Sequence, residues 1–155
     1  MNCRYDMIAC HVVRPAAGGA SHEFLQLRRR AGDYLGGTWQ IVRGTVEPGE
    51  PAWRAGLREL AEETGLVPDE FYKLSLMEQF YLLPAETVWH VPSFVAVVAP
   101  AAGVVLNDEH DDHRWVPRDR IEAETMWAGE RLVLVEVCRE ILDGGLSKPF
   151  LRVPR

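Results

Sequence analysis

The chain has 155 residues, of which 47% are hydrophobic, enough to bury one core but too few for a second full domain. Its net charge of −6 argues against a protein held to nucleic acid by a basic surface. Cys3, Cys10 and Cys138 lack the short spacing of a zinc site, so we expect buried free thiols in a reducing cytoplasm. No run reaches the roughly 18 apolar residues of a membrane span. We therefore expect a soluble, cytoplasmic protein with no membrane or nucleic-acid partner.

The first part of the chain is predicted to consist of strands. Residues 5–13 form an apolar run typical of a strand, and the alternation over residues 23–29 predicts a second one. A glycine-containing segment separates them, which predicts a hairpin with a long connection. Residues 38–42 predict a short strand that leads the chain to Gly44.

A helix is predicted next, with Pro51 near its start and Gly65 just past its end. Glu59, Glu62 and Glu63 stand at positions i, i+3 and i+4, which are neighbours on a helix surface. Like charges at this spacing repel each other, whereas Mg²⁺ binds carboxylate oxygens and keeps waters for a phosphate-bearing substrate. The helix face therefore predicts a magnesium site.

A simpler interpretation is an amphipathic surface helix whose acids are only solvated. The opposite face would then be a buried apolar stripe, made of Trp53, Leu57, Leu60 and Ala61. This interpretation accounts for the stripe but leaves the clustering of like charges unexplained.

The second half predicts more strands and another helix. Two long strands are expected over residues 73–83 and 88–98, and Pro92 indicates that the second lies at an edge or contains a bulge. Residues 115–117 predict a last short strand, and residues 128–142 carry apolar residues at roughly helical spacing.

The C-terminal residues, 147–155, predict a surface strand or a loose end. Mixed strands with two principal helices predict an α/β layered domain. We expect this single domain to span residues 1–155.

Residues 44–66, GTVEPGEPAWRAGLRELAEETGL, resemble a complete Nudix box. The fixed positions that match are Gly44, Glu50, Arg58, Glu59, Glu62, Glu63 and Gly65. The resemblance implies a Nudix-type α/β/α sandwich with a mixed β-sheet, in which the box helix packs on one face. It also implies a hydrolase of phosphoanhydride bonds that uses Mg²⁺, for which Mn²⁺ can substitute.

The resemblance also assigns roles within the box. Glu59 and Glu63 are the first candidates for metal ligands and for catalysis, and Glu62 is a further or water-mediated ligand. In this family the backbone carbonyl at the position of Gly44 is a frequent further metal ligand, so the resemblance implies the same role for the Gly44 carbonyl. The remaining fixed residues are expected to be structural: Glu50, Arg58 and Gly65. The planar guanidinium of an arginine suits the task of fixing a loop against a helix.

Members of this family commonly recruit one more acid from outside the box, as a metal ligand or general base. Glu109, in the segment NDEHDDHRWV, is our first candidate for this catalytic and metal-binding role. The competing acids of the same segment are Asp108, Asp111 and Asp112. Glu78 and Glu86 are next in line. His110 and His113 lack metal-like spacing and are expected to be loop residues.

Candidate substrate-binding residues lie on either side of the box. Arg28, Arg29 and Arg30 follow a predicted strand, so one or two of them are expected to bind phosphate. Arg28 and Arg30 share one strand face and are our candidates. Trp39 and Trp127 are candidates for stacking on a base or pterin, although large aromatic residues more often belong to a core.

The sequence from Trp39, WQIVRGTVEPGE, is similar to that of dihydroneopterin-triphosphate and dATP pyrophosphatases. The similarity extends to LQLRRR before the box and to EHDDHRWV after it, but not to residues 67–102. The chain lacks the Phe-Pro-x-Gly-Gly pattern of diadenosine-polyphosphate and RNA 5′-pyrophosphate hydrolases. The resemblance therefore implies cleavage of a dATP-like nucleoside triphosphate or dihydroneopterin triphosphate to monophosphate plus pyrophosphate.

Two other functions remain open. The first is hydrolysis of a dinucleoside polyphosphate or nucleotide sugar, which is distinguished by whether pyrophosphate is released. The second is a Nudix-fold regulator that binds a nucleotide without catalysis, against which the three intact glutamates of the box argue. Either a monomer or a homodimer is compatible with the sequence.

Overall fold

The computed structural model describes residues 1–154 and contains an eight-stranded sheet of mixed parallel and antiparallel pairing. The strands are β1 Asn2–Arg4, β2 Met7–Pro15, β3 His22–Arg29, β4 Trp39–Gln40, β5 Val42–Thr45, β6 Glu70–Leu82, β7 Thr87–Val97 and β8 His110–Pro117. The α-helices are α1 Ala52–Thr64, α2 Ile121–Glu124, α3 Ala128–Glu136 and α4 Lys148–Leu151. A 3₁₀ turn covers Leu83–Ala85, and a π-helix, Val137–Leu142, directly follows α3.

Strand β2 lies at the middle of the sheet and organises the region around α1. It pairs in parallel with β7 and antiparallel with both β5 and β3, which meet different halves of β2. Strand β3 also pairs with β4 and β8, and β7 also pairs with β1 and β6. The short strand β5 therefore reaches α1 directly from the centre of the sheet.

Two helical layers cover the two faces of the sheet. Because side chains alternate along a strand, Cys10 and Val12 of β2 pack in the core beneath α1, with Leu60 of the helix. Val13 and Phe24 belong to the core on the opposite face, which α3 and the π-helix cover. The predicted α/β class and the α/β/α layering implied by the resemblance are confirmed.

Helix α1 begins at Ala52 and ends at Thr64, and the next residue, Gly65, has a φ of 67°, a left-handed conformation that glycine adopts at little cost. The helix approaches the sheet closely at Gly56, where a Cβ would lie 3.1 Å from Phe71. Ala61 was predicted to be buried but is exposed. Glu63 lies on the buried side of the helix instead.

Several predicted elements differ from the structure. Residues 38–42 contain not one strand but the whole of the two-residue strand β4 and the first residue of β5, which pair with different partners. The C-terminal segment contains α4, whose Leu151 packs into the core beside α3, so the predicted loose end is wrong. The helix α2 was not predicted. The prediction of one domain over residues 1–155 stays a prediction, and Arg155 lies outside the described residues.

Strand β7 is an inner strand, so Pro92 does not mark a sheet edge. The register of β6 against β7 shifts between Lys73 and Met77, directly opposite this proline, and the predicted bulge is therefore present. Cys10 is buried and Cys138 half-buried, but Cys3 is exposed, contrary to expectation. None of the helices described here is long and apolar enough to span a membrane.

Candidate metal centre

The loop before α1 is held against the helix by Arg58. Its guanidinium donates to both carboxylate oxygens of Glu50, at 3.1 and 3.0 Å, and to the carbonyl of Thr45 at 2.8 Å. Glu50 in turn accepts a hydrogen bond from the backbone N–H of Glu47. Together these bonds connect the end of β5, the loop and the helix at one point, next to the acids of the box.

Gly44, in β5, lies directly against Glu59 of the helix. A Cβ added at Gly44 would lie 1.9 Å from Cδ of Glu59, so any other residue would displace this carboxylate. The Glu59 side chain is 13% exposed and accepts a hydrogen bond of 2.8 Å from Arg58. Burial raises its pKa, an effect that Arg58 partly offsets.

Glu63 is the most unusual residue of the group, because it is 3% exposed and its Oε2 atom is hydrogen-bonded to no atom of residues 1–154. Burial raises its pKa to about 9, and the nearby charges of Glu109 and Glu59 add to this shift. The backbone N–H of Arg43 and the charge of Arg29 act in the opposite direction. A buried carboxylate without a partner is costly unless a cation or a proton neutralises it.

The structure brings Glu109, which lies outside the box, into the electrostatic reach of Glu59 and Glu63, since its charge raises the pKa of both. Its carboxylate is about half exposed and lies 3.8 Å from Nη1 of Arg29. Glu62 is also about half exposed and bonds to Arg58 at 3.2 Å. Glu109 and Glu62 therefore lie at the open side of the group, and Glu63 at its floor.

The acids do not converge tightly as they stand. Among residues 1–154, no three carboxylate, imidazole or thiolate side chains are close enough together to ligate one ion. Arg58 and Arg29 draw Glu59, Glu62 and Glu109 in different directions through ion pairs. This is the expected arrangement for like charges whose nearest cations are arginines.

The residues nevertheless fit a hard divalent cation. The donor set consists of carboxylates, the free Oε2 of Glu63 is buried among them, and Gly44 leaves room where a side chain would collide. Glu59, Glu63 and Glu109 are the residues that would hold Mg²⁺ or Mn²⁺, and the exposed Glu62 would act through water. These roles remain predictions.

Of the three consecutive arginines, Arg29 is the one that lies beside Glu109, an acid of the candidate metal centre. The register of β3 against β8 shifts between Arg28 and Arg29, opposite Asp111. Arg29 thereby lies next to Glu109, and its Nε is buried without a hydrogen-bond acceptor among residues 1–154. Sequence reasoning preferred Arg28 and Arg30, because the bulge is invisible in a pattern of alternation.

Arg28 and Arg30 are paired with acids of the segment around β8. Arg28 binds Asp111 at 2.7 Å and lies 3.7 Å from Asp112, whereas Arg30 is half exposed and 3.9 Å from Asp108. All three competing acids thus have an arginine nearby, and of the three Asp108 is fully exposed. The phosphate-binding roles of Arg28 and Arg30 remain predictions.

The two candidate aromatic residues lie in different settings. Trp39 is half-buried, with the guanidinium carbons of Arg114 and Arg28 at 4.3 and 5.7 Å from its ring centroid. Trp127 is 44% exposed and directly precedes α3. Trp127 is therefore available to a ligand, whereas the Trp39 ring already contacts cations.

The reserve candidates for the outside acid lie elsewhere. Glu78 is buried in ion pairs with Arg43, and Glu86 accepts a hydrogen bond from Tyr81 in an exposed turn. His110 is buried and His113 exposed, and both lie in β8 and not in a loop. A surface groove of about 550 Å³ is lined by residues such as Trp53, Met77, Pro92 and Val153, and by none of the acids of the candidate metal centre.

Comparisons with known proteins identify the family of this chain. The sequence model of the NUDIX domain family matches residues 7–137. An RNA pyrophosphohydrolase from Erythrobacter litoralis is 37% identical over 71 residues, covering 35% of this chain and 43% of that protein. An octanoyltransferase from Myxococcus xanthus is 40% identical over 102 residues, covering 63% of this chain and 27% of that protein. The chain thus spans less than half the length of either curated relative.

Solved structures show the same fold. An Ap4A hydrolase from C. elegans in a binary complex superimposes with a TM-score of 0.72 and 22% identity, covering 94% of this chain and 100% of that one. A MutT protein from Methanosarcina mazei Go1 gives a TM-score of 0.68 and 27% identity, covering 88% and 94%. Since the family model spans most of the chain, including the whole box, this protein belongs to the NUDIX domain family.

Proposed function

We propose that this protein is a Mg²⁺-dependent pyrophosphohydrolase that cleaves a dATP-like nucleoside triphosphate or dihydroneopterin triphosphate to the monophosphate and pyrophosphate. The observation that carries the proposal is the buried carboxylate of Glu63, whose Oε2 has no hydrogen-bond partner among residues 1–154 and whose pKa the charges of Glu109 and Glu59 help to raise. Burial and the charges of Glu109 and Glu59 raise the pKa of Glu63, so this carboxylate calls for a cation, and a polyphosphate needs the same cation. A solvated surface helix would not bury Glu63.

When bound, Mg²⁺ would activate water and neutralise charge on the phosphoryl oxygens. The protein's own residues would supply the surroundings for this chemistry. Glu63 and Glu59 form the floor, Gly44 keeps the space beside Glu59 free, and Arg58 fixes the loop. Glu109 lies at the open side, where a half-exposed carboxylate can accept a proton from water.

Arg29 is the best-placed cation for the substrate. Its Nε has no acceptor within residues 1–154, its side chain is 30% exposed, and it lies next to Glu109. A guanidinium in this position can donate to a phosphate oxygen and offset the charge that develops there. Arg29 therefore joins Arg28 and Arg30 as a candidate for phosphate binding, with Trp127 as the exposed aromatic for the organic group.

The second candidate function is hydrolysis of a dinucleoside polyphosphate, a nucleotide sugar or the 5′ end of an RNA. The specific observation in its favour is the 37% identity to a relative named RNA pyrophosphohydrolase. Two observations argue against an RNA substrate: the net charge of −6 and the absence of Phe-Pro-x-Gly-Gly before the box. We therefore favour the proposal of a cytoplasmic, single-domain protein that acts on a small phosphoanhydride.

The test is a substrate panel with Mg²⁺ in which pyrophosphate and orthophosphate are measured separately. It contains dATP, dihydroneopterin triphosphate, a diadenosine polyphosphate, ADP-ribose and a 5′-triphosphorylated RNA. Pyrophosphate release from dATP or the pterin triphosphate, lost in Glu63→Gln, supports the first candidate. Turnover of only the other substrates would favour the second, and no turnover of any would refute hydrolysis.

A further inference from the structure

A buried ion-pair cluster lies on the face of the sheet opposite α1, and the proposed chemistry does not use it. Nη2 of Arg43, in β5, lies 2.5 Å from a carboxylate oxygen of both Glu78, in β6, and Glu130, in the first turn of α3. The two glutamate side chains are 4% and 5% exposed. One side chain thus connects three separate elements.

Stability alone does not explain this cluster. Desolvation commonly offsets the Coulombic attraction of a buried ion pair, so that such pairs contribute little net stability. Here one arginine faces two glutamates, and burial raises the pKa of the Glu130 carboxyl, so desolvation offsets part of the attraction. A cluster of this kind is better suited to holding a strand in one position.

The strand that Arg43 belongs to needs such an anchor. Strand β5 has four residues and pairs with Met7–Cys10 of β2, and within residues 1–154 no other ladder of β5 is recorded. The bond from Arg58 to the carbonyl of Thr45 and the buried side chain of Val42 also restrain it, on the side of α1. A short strand with one neighbour can move by some tenths of an ångström unless side chains restrain it.

The opposite face of the same residues meets the candidate metal centre. The backbone N–H of Arg43 acts on the Glu63 carboxylate, and the next residue, Gly44, has no space to spare beside Glu59. Because side chains alternate along a strand, the Arg43 side chain points away from these acids while its backbone lies against them. A shift of Arg43 would therefore move Gly44 relative to both glutamates.

We propose that Arg43 is a positioning residue: its ion pairs with Glu78 and Glu130 fix β5 so that the backbone of Arg43 and Gly44 keeps Glu59 and Glu63 in a metal-binding arrangement. This inference rests on the proposed metal site. It also links α3, which begins directly after the exposed Trp127, to the metal centre through one side chain. Arg43 contacts neither metal nor substrate in this role.

The experiment measures Mn²⁺ affinity by electron paramagnetic resonance in the purified full chain, together with melting temperature without metal. The variants are Arg43→Lys, which keeps the charge but shortens the reach, and Glu130→Gln, which removes one ion pair. The matched controls are Arg118→Lys and Asp143→Asn, because Arg118 and Asp143 form a two-bond ion pair away from β5.

Both test variants are expected to weaken Mn²⁺ binding by about tenfold or more, the effect typical of residues that orient metal ligands. The two controls should bind Mn²⁺ as the wild type does. If either variant folds and binds Mn²⁺ with wild-type affinity, the inference is overturned. If Arg43→Lys does not melt cooperatively, the Mn²⁺ affinity of Glu130→Gln decides.

The outcome separates this inference from the proposed function. If the wild type binds Mn²⁺ but hydrolyses nothing in the panel, the enzymatic proposal fails and the affinity comparison still decides the role of Arg43. If the wild type hydrolyses the panel and the test variants match it in affinity and in kcat, only the positioning role fails. A wild type that binds no Mn²⁺ refutes both.

Discussion

The substitution Glu63→Gln should stabilise the metal-free protein while abolishing its activity. The carboxyl pKa of Glu63 rises from 4.5 to about 9 on folding. Because the pKa of Glu63 is raised on folding, this carboxyl costs no stability below pH 4.5. The free energy of unfolding then falls as the pH rises towards 9. At pH 7 folding must therefore take up a proton, which costs up to about 3 kcal/mol at roughly 1.4 kcal/mol per pH unit above the ordinary value.

Glutamine removes this cost because it needs no proton. For a protein of this size, about 1 kcal/mol corresponds to 2–4 °C, so the melting temperature should rise by up to roughly 10 °C at pH 7. At pH 5 the same calculation leaves less than about 1 kcal/mol, and the difference between variant and wild type should nearly vanish. The dependence of the difference on pH identifies Glu63 as its source.

The assay is thermal unfolding with a chelator present, at pH 5, 6, 7 and 8, for the wild type and Glu63→Gln. Glu62→Gln is the matched control, since it removes a carboxylate from the same helix that is about half exposed. Its melting curves should follow those of the wild type. A Glu63→Gln variant that is destabilised at pH 7, or whose difference from the wild type does not grow with pH, would refute the reasoning. So would Mg²⁺-dependent pyrophosphate release at the wild-type rate.

Four further outcomes are expected. Gly44→Ala should weaken Mn²⁺ binding by about tenfold or more, because its Cβ would lie 1.9 Å from the nearest carboxylate carbon; unchanged binding would contradict the close contact. Glu109→Gln should lower kcat and kcat/KM together by about 10²-fold, and Asp108→Asn should change neither; the reverse result would move the outside acid to Asp108. Arg29→Met should lower kcat/KM by about tenfold or more, the worth of a hydrogen bond to a charged group, and a larger loss in Arg30→Met would return the role to Arg30. Mg²⁺ at about 100 times its Kd should stabilise the wild type by roughly 2.7 kcal/mol, whereas the zinc chelator phenanthroline should leave turnover unchanged.

The box helix shows how far local pattern reaches. Pro51 and Gly65 limit the helix through their own backbone preferences, so its ends were predictable within about a residue. The acidic spacing of Glu59, Glu62 and Glu63 was equally visible, because positions on one helix follow from the sequence alone. What the spacing could not show is that Glu63 is buried while Glu62 is half exposed.

Strand bounds and partners were harder to predict. The strand over residues 23–29 was predicted correctly, but the placement of Arg29 beside Glu109 depends on a bulge against β8, which only the partner strand creates. The segment 38–42 divides between β4 and β5 because each pairs with a different strand. The sequence of this segment therefore does not show where β4 ends and β5 begins.

By itself, the sequence determined the α/β class, the box helix and its acidic face, and the family resemblance, because these depend on residues close together in the chain. Tertiary structure alone decided which acids share a charge environment, that Arg29 and not its neighbours lies beside them, and that Arg43 reaches Glu78 and Glu130 on the other face. These contacts join residues up to 87 positions apart. Burial and strand pairing create them, and neither leaves a periodic signal in the sequence.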